Sequence, residues 1–129
     1  MRPIVRGVLA GRRILIVEDE YFLADDLKHI LIEQSAEVVG PVPTMKEALS
    51  VINGDQPIDC AVLDVNLSGS SVFPISAALM ERKIPFLFAT GYGSLQIPER
   101  FSGVVRLEKP FAPSLLVTAL EAIIGTSAS

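Results

Sequence analysis

Tryptophan is absent from the chain, and cysteine and histidine occur once each. Each shortage closes off a class of chemistry. One cysteine, Cys60, cannot make an internal disulfide and fits a reducing, cytoplasmic setting. One His with one Cys cannot build a zinc centre. Lys and Arg number 11 against 15 Asp and Glu, giving a net charge of −4. No run of basic residues appears, so the basic face that sequence-independent nucleic-acid binding needs is missing. No apolar stretch reaches membrane-spanning length. The Arg-bearing start is too interrupted, by Arg6, for a signal peptide. Residues 1–11 read as a loose N-terminal arm, 12–125 as one domain, and 126–129 as a frayed tail.

What is present is a strict alternation. Ile14, Leu15, Ile16 and Val17 form a continuous apolar run, as in a strand buried on both faces of a parallel sheet. Leu23, Leu27, Ile30 and Leu31 follow at helical spacing. Ala36 to Gly40 is a short second strand. Thr44 and Glu47 make a capping box for a helix that ends at Asn53 and Gly54. Cys60 to Leu63 is a third strand closing at Asp64. Ser70 or Ser71 caps the next helix, with Pro74 in its first turn. Phe86 to Ala89 is the fourth strand. Between Thr90 and Phe101, Gly91, Gly93 and Pro98 leave room for a fourth helix of only about two turns. Val104 and Val105 make the fifth strand, and a last helix runs from Pro113 to Gly125. Five strands alternating with five helices imply an α/β fold with helices on both faces of a parallel sheet. The flavodoxin-like strand order 2-1-3-4-5 is expected, with the site outside the carboxyl ends of strands 1 and 3.

The chemistry-bearing residues fall at those ends. Glu18 and Asp19 follow strand 1, and Asp64 closes strand 3. Two like charges about 4 Å apart repel by roughly 4 kcal/mol at an effective dielectric of 20. A cluster of three therefore wants a cation, and hard oxygen ligands suit Mg2+. Thr90 ends strand 4 and Lys109 follows strand 5. A hydroxyl and an ammonium facing three carboxylates suit a visiting phosphoryl group, whose transfer needs positioning and charge stabilisation. Each residue alone has a blander reading: acids end strands at surfaces, Lys109 makes a salt bridge, Thr90 is a turn residue. Taken together the placement favours phosphoryl chemistry.

Glu18, Asp19, Asp64, Thr90 and the run Lys109, Pro110, Phe111, in this order, resemble the receiver domain of response regulators over about residues 12 to 124. The resemblance implies that Asp64 is the phosphoacceptor. It also implies that Glu18, Asp19, Asp64 and the Asn66 carbonyl serve Mg2+, that Thr90 and Lys109 contact phosphoryl oxygens, and that the Lys109–Pro110 bond is cis. Pro85 to Tyr92, reading PFLFATGY, is similar to the "FAT GUY" subfamily of receivers, whose members partner with HWE or related sensor kinases. Arg106 departs from the pattern, standing where most receivers carry Tyr or Phe. Activation is therefore expected to order the segment from Thr90 to Phe101 through Tyr92 instead.

The implied function is a single-domain response regulator. It would be phosphorylated by a sensor histidine kinase and act on a target protein, through a histidine phosphotransferase, or as a phosphate sink. It would be no enzyme beyond promoting its own phosphorylation and dephosphorylation. No nucleic acid or membrane partner is expected, and monomer or weak dimer both remain open. Two rivals stand beside this reading. A Toprim-like Mg2+ nuclease core has a Glu after strand 1 and Asp-x-Asp after strand 3, but Asp64, Val65, Asn66 lacks the second Asp. A receiver-like interaction module that is not phosphorylated would not need Asp64, Thr90 and Lys109. A dinucleotide site would need glycines where Glu18, Asp19 and Glu20 stand. Cys60, Phe86 and Phe88 read as core, and His29 as solvated.

Overall fold

The computed structural model describes residues 7–67, 70–91 and 97–127. The strands are β1 (Arg13–Val17), β2 (Glu37–Val42), β3 (Cys60–Asp64), β4 (Asn66–Leu67), β5 (Ser70–Ser71), β6 (Phe86–Thr90) and β7 (Arg106–Glu108). The helices are α1 (Tyr21–Glu33), α2 (Met45–Ile52), α3 (Phe73–Glu81) and α4 (Pro113–Ser127), with a 3-10 turn at Glu99–Phe101. Five strands form a parallel sheet in the order β2-β1-β3-β6-β7. Counting only these five, this is the expected 2-1-3-4-5 flavodoxin-like order. β4 and β5 pair antiparallel as a separate short ribbon.

The apolar runs form central strands because both faces of the sheet are covered. Ile14, Ile16, Cys60, Val62, Leu87 and Ala89 pack with Leu27 and Leu31 of α1 and with Leu116, Leu120 and Ile124 of α4. The intervening residues Leu15, Val17, Ala61, Leu63, Phe86 and Phe88 face Ala48 and Ile52 of α2, Ile75 and Leu79 of α3, and Phe101. Alternate side chains thus feed two cores. Crossovers from β1 leave in one direction and from β3 in the other, so a crevice opens where β1 and β3 end.

Several boundaries differ from the sequence reading. Four α-helices are described where five were expected. In the β6–β7 crossover the described residues show only the 3-10 turn after Pro98, whose Phe101 anchors it in the core. The fifth strand is Arg106–Glu108, not Val104 and Val105. The Val104 N–H is taken by the Phe101 carbonyl, closing a turn, and pairing with β6 opens only at the Val105 carbonyl, which accepts the Phe88 N–H. Ser70 and Ser71 lie in the short ribbon instead of capping α3. The cap is Val72, and Ser71 Oγ only accepts from the Phe73 N–H at 3.1 Å. β2 runs on to Val42 through a cis Gly40–Pro41 bond. Gly40 has φ +92, and a Cβ there would stand 2.7 Å from the Val42 nitrogen, so only glycine fits. Gly125 does not end the last helix, which continues to Ser127. The arm is not loose from residue 7 on. Leu9 is fully buried in the α1–α4 core, and the Gly11 N–H donates to the Ser35 carbonyl. Residues 1–6, and 128 and 129 of the tail, lie outside the described residues. No helix among the described residues is long and apolar enough to cross a membrane.

Candidate functional site

Three strand ends and one loop build the crevice. Where β1 stops, Glu18 turns inward and is only 2% exposed. Its Oε2 accepts the Glu20 N–H at 3.2 Å. Glu20 then caps α1, its carboxylate accepting from the Leu23 N–H at 2.9 Å. Asp19, half-buried, lies between them. β3 delivers Asp64, also buried, whose Oδ1 accepts the Asn66 N–H at 3.1 Å. The β7–α4 loop is pinned at its root, because the Lys109 N–H donates to the Thr90 carbonyl at 2.7 Å. That bond brings the lysine beside the end of β6, and the Lys109–Pro110 bond is cis.

The side chains converge on a cleft of about 500 Å³ lined by Glu18, Asp19, Asp64, Asn66, Thr90 and Lys109 among others. Glu18, Asp19 and Asp64 each offer a carboxylate oxygen, and the three lie within 4.8 Å of one another. Lys109 Nζ stands 2.9 Å from Glu18 Oε1 and 3.5 Å from Asp64 Oδ1. One ammonium therefore sits between the two buried acids. The imbalance shows in Glu18, whose carboxyl is pushed from 4.5 to about 7. Burial is the largest cause, and the hydrogen bond and charge of Asp64 act in the same sense, against Lys109. A buried all-oxygen donor set with surplus negative charge fits a hard divalent cation such as Mg2+.

Most of the residues singled out in the sequence meet here. Glu18, Asp19, Asp64, Asn66, Thr90 and Lys109 line one cleft. Pro110 sits next to it, in a groove with Leu23, Leu27, Ile30, Phe111 and Lys109. Arg106 does not reach the cleft: it is exposed on the edge strand, in register with Phe88. Tyr92 lies outside the described residues. Glu20 was missed as a site residue. It lines the cleft and caps α1, and a capping position immediately before the helical stripe was its available signal. The preference of Lys109 for Glu18 over Asp64 carries no sequence signal.

The fold and this crevice define a class, a doubly wound α/β domain with an acidic cleft at the carboxyl ends of its central strands, and comparison gives it a family. The sequence profile of the response regulator receiver domain matches residues 14–121, and the chain belongs to that family. Among solved structures, SdrG from Sphingomonas melonis Fr1 is 40% identical. Its TM-score is 0.79, over 88% of this chain and 97% of SdrG. A putative response regulator from Chloroflexus aurantiacus J-10-fl is 27% identical, with TM-score 0.77, over 89% of this chain and 98% of that one. The transcriptional regulatory protein PdtaR of Mycobacterium tuberculosis is 28% identical over 88% of this chain and 57% of its own length. For the sensory transduction protein LytT of Bacillus anthracis the values are 28%, 84% and 46%. The chain thus spans about half the length of these curated relatives. The family match sets the nuclease reading aside.

Proposed function

We propose that the protein is a phosphoacceptor of a two-component system, taking a phosphoryl group on Asp64 from a phosphohistidine of a sensor kinase. The observation that carries this is the convergence of Asp64, Lys109 and Thr90 on one cleft with two further carboxylates. An Asp64 carboxylate oxygen attacks phosphorus and a P–O bond forms. The P–N bond breaks, and its electron pair leaves with the imidazole, which regains a proton from solvent. Mg2+, held by Glu18, Asp19, Asp64 and the Asn66 carbonyl, would supply neutralisation of the phosphoryl oxygens. Lys109 supplies a second positive charge, and Thr90 a hydroxyl to hold an oxygen. Water attacking the acyl phosphate reverses the modification, so the protein promotes only its own phosphorylation and dephosphorylation.

The kinase docks on α1 and the β7–α4 loop. Between them runs the groove of about 440 Å³ lined by Leu23, Leu27, Ile30 and Phe111, which borders Lys109. The PFLFATGY run supports a FAT GUY receiver and an HWE-type kinase, acting in the cytoplasm as monomer or weak dimer. Output then goes to a target protein, to a histidine phosphotransferase, or into a phosphate sink.

The test is intact-protein mass after incubation with acetyl phosphate, with Mg2+ and with chelator, beside Asp64→Asn. One phosphoryl adduct, on wild type and with Mg2+ only, is expected. Its absence, or an adduct on the variant, would remove Asp64 as acceptor.

A further inference from the structure

We infer that the groove at the amino ends of β6 and β7 is a second binding site, and that it takes a small amphipathic anion of the medium-chain fatty-acid type, an apolar chain bearing one carboxylate. The inference is independent of the phosphoacceptor reading, because this groove and the acidic cleft share no lining residue.

The groove has a volume of about 500 Å³, within the usual range of small-ligand sites. It lies on the seam between the two cores. Ile84 and Val104 pack against one core, and Ile123 of α4 against the other. Met80, at the end of α3, and Val105 complete the walls. These two are left 47% and 37% exposed, so apolar surface is gathered here and not scattered singly.

One charged side chain lines the groove among the described residues, that of Lys83. Its ammonium has no hydrogen bond or ion pair to any described residue. Its backbone stands where glycine is the usual choice. Lys83 follows the last turn of α3 with φ +58. Its N–H donates to the Met80 carbonyl, and the Ile84 N–H to that of Leu79, the helix-ending motif that glycine normally fills. Glycine would close this turn with less strain. The lysine instead sets a positive charge at the rim of an apolar groove.

Charge decides the sign of the occupant. The chain carries −4 overall, yet residues 80–86 and 103–106, which form the groove, hold Arg82, Lys83 and Arg106 against Glu81. The Arg82 guanidinium is turned to Asn53 Oδ1 at 3.4 Å. Lys83 is thus the cation left for a ligand, and an apolar chain ending in a carboxylate satisfies wall and rim together. Such a ligand stays clear of the chemistry. Phe86, in the groove, and Thr90, in the cleft, are the two ends of β6, about 13 Å apart at the usual strand rise.

The test is titration of the nitrogen-15-labelled protein with octanoate, hexanoate and 1-octanol, followed by NMR, in wild type, Lys83→Gly, Val105→Glu and Asp64→Asn. Octanoate is expected to saturate one site and to shift the amides of Ile84, Val104 and Val105, with hexanoate about tenfold weaker. Lys83→Gly should weaken octanoate about threefold to fivefold and leave 1-octanol unchanged. The same variant should raise the thermal unfolding midpoint, so its loss of binding cannot come from a damaged fold. Val105→Glu sets an unpaired acid in the groove and should weaken octanoate at least about tenfold, whereas Asp64→Asn should bind as wild type does. Shifts that do not saturate, or that centre on the cleft and are lost in Asp64→Asn, overturn the inference. So does 1-octanol binding as tightly as octanoate, or octanoate binding undiminished in Lys83→Gly. A wild type that dimerises and loses its dimer in Val105→Glu would give the groove to a second copy and overturn it as well.

Discussion

Glu18 concentrates the conflict that the site is built around. It is a buried acid next to a second buried acid, relieved by one lysine. Its raised titration point makes stability pH-dependent in a definite direction. An acid whose folded value, about 7, exceeds its ordinary 4.5 costs the fold nothing below 4.5. Above that the unfolded chain ionises first, and stability falls until pH passes about 7. In Glu18→Gln this fall is absent. Urea unfolding in chelator at pH 5 and pH 8 should show the variant gaining about 2 kcal/mol on wild type between the two. No relative gain would mean that Glu18 is ionised at no cost in the folded, metal-free protein. The acids themselves were legible in the sequence because each ends a buried run. Their burial and the choice Lys109 makes between them were not, because those depend on side-chain reach within the crevice.

At the scale of elements, legibility follows how completely an element is buried. β1, β3 and β6 stand out as unbroken apolar runs because both their faces are covered. The edge strand β7 does not. Arg106 and Glu108 are exposed, and only Leu107 is buried, so the more apolar Val104 and Val105 drew the assignment away from it. The same logic explains the β6–β7 crossover. With Gly91 and Pro98 at its ends it has little helical propensity, and among its described residues order comes from one aromatic. Phe101 is 1% exposed and lies 5.7 Å from Phe73 and 6.2 Å from Phe88, ring centre to ring centre. Phe101→Ala should therefore cost about 3–5 kcal/mol in chemical denaturation. A loss under about 1 kcal/mol would show that the crossover does not depend on this anchor.

The whole molecule divides its labour between a sheet that sets the acids and a border on which docking is proposed. Two features lie on that border: the groove between α1 and the β7–α4 loop, and the cleft with Asp64, which share Leu23 and Lys109. Docking and chemistry should nevertheless be separable, because Ile30 lines the groove two turns away from the cleft and not the cleft itself. Ile30→Lys places a charge where an apolar helix face is proposed to pack. It should slow phosphotransfer at least about tenfold from a sensor kinase that phosphorylates the wild type, the loss expected when an apolar contact in a docking site is broken. Phosphorylation by acetyl phosphate with Mg2+ should stay at the wild-type rate, since that small donor needs only the cleft. Equal slowing with both donors would place the defect in the fold or the cleft. Unchanged transfer from the kinase would move the docking face elsewhere on the domain, while Asp64 and its neighbours kept their roles.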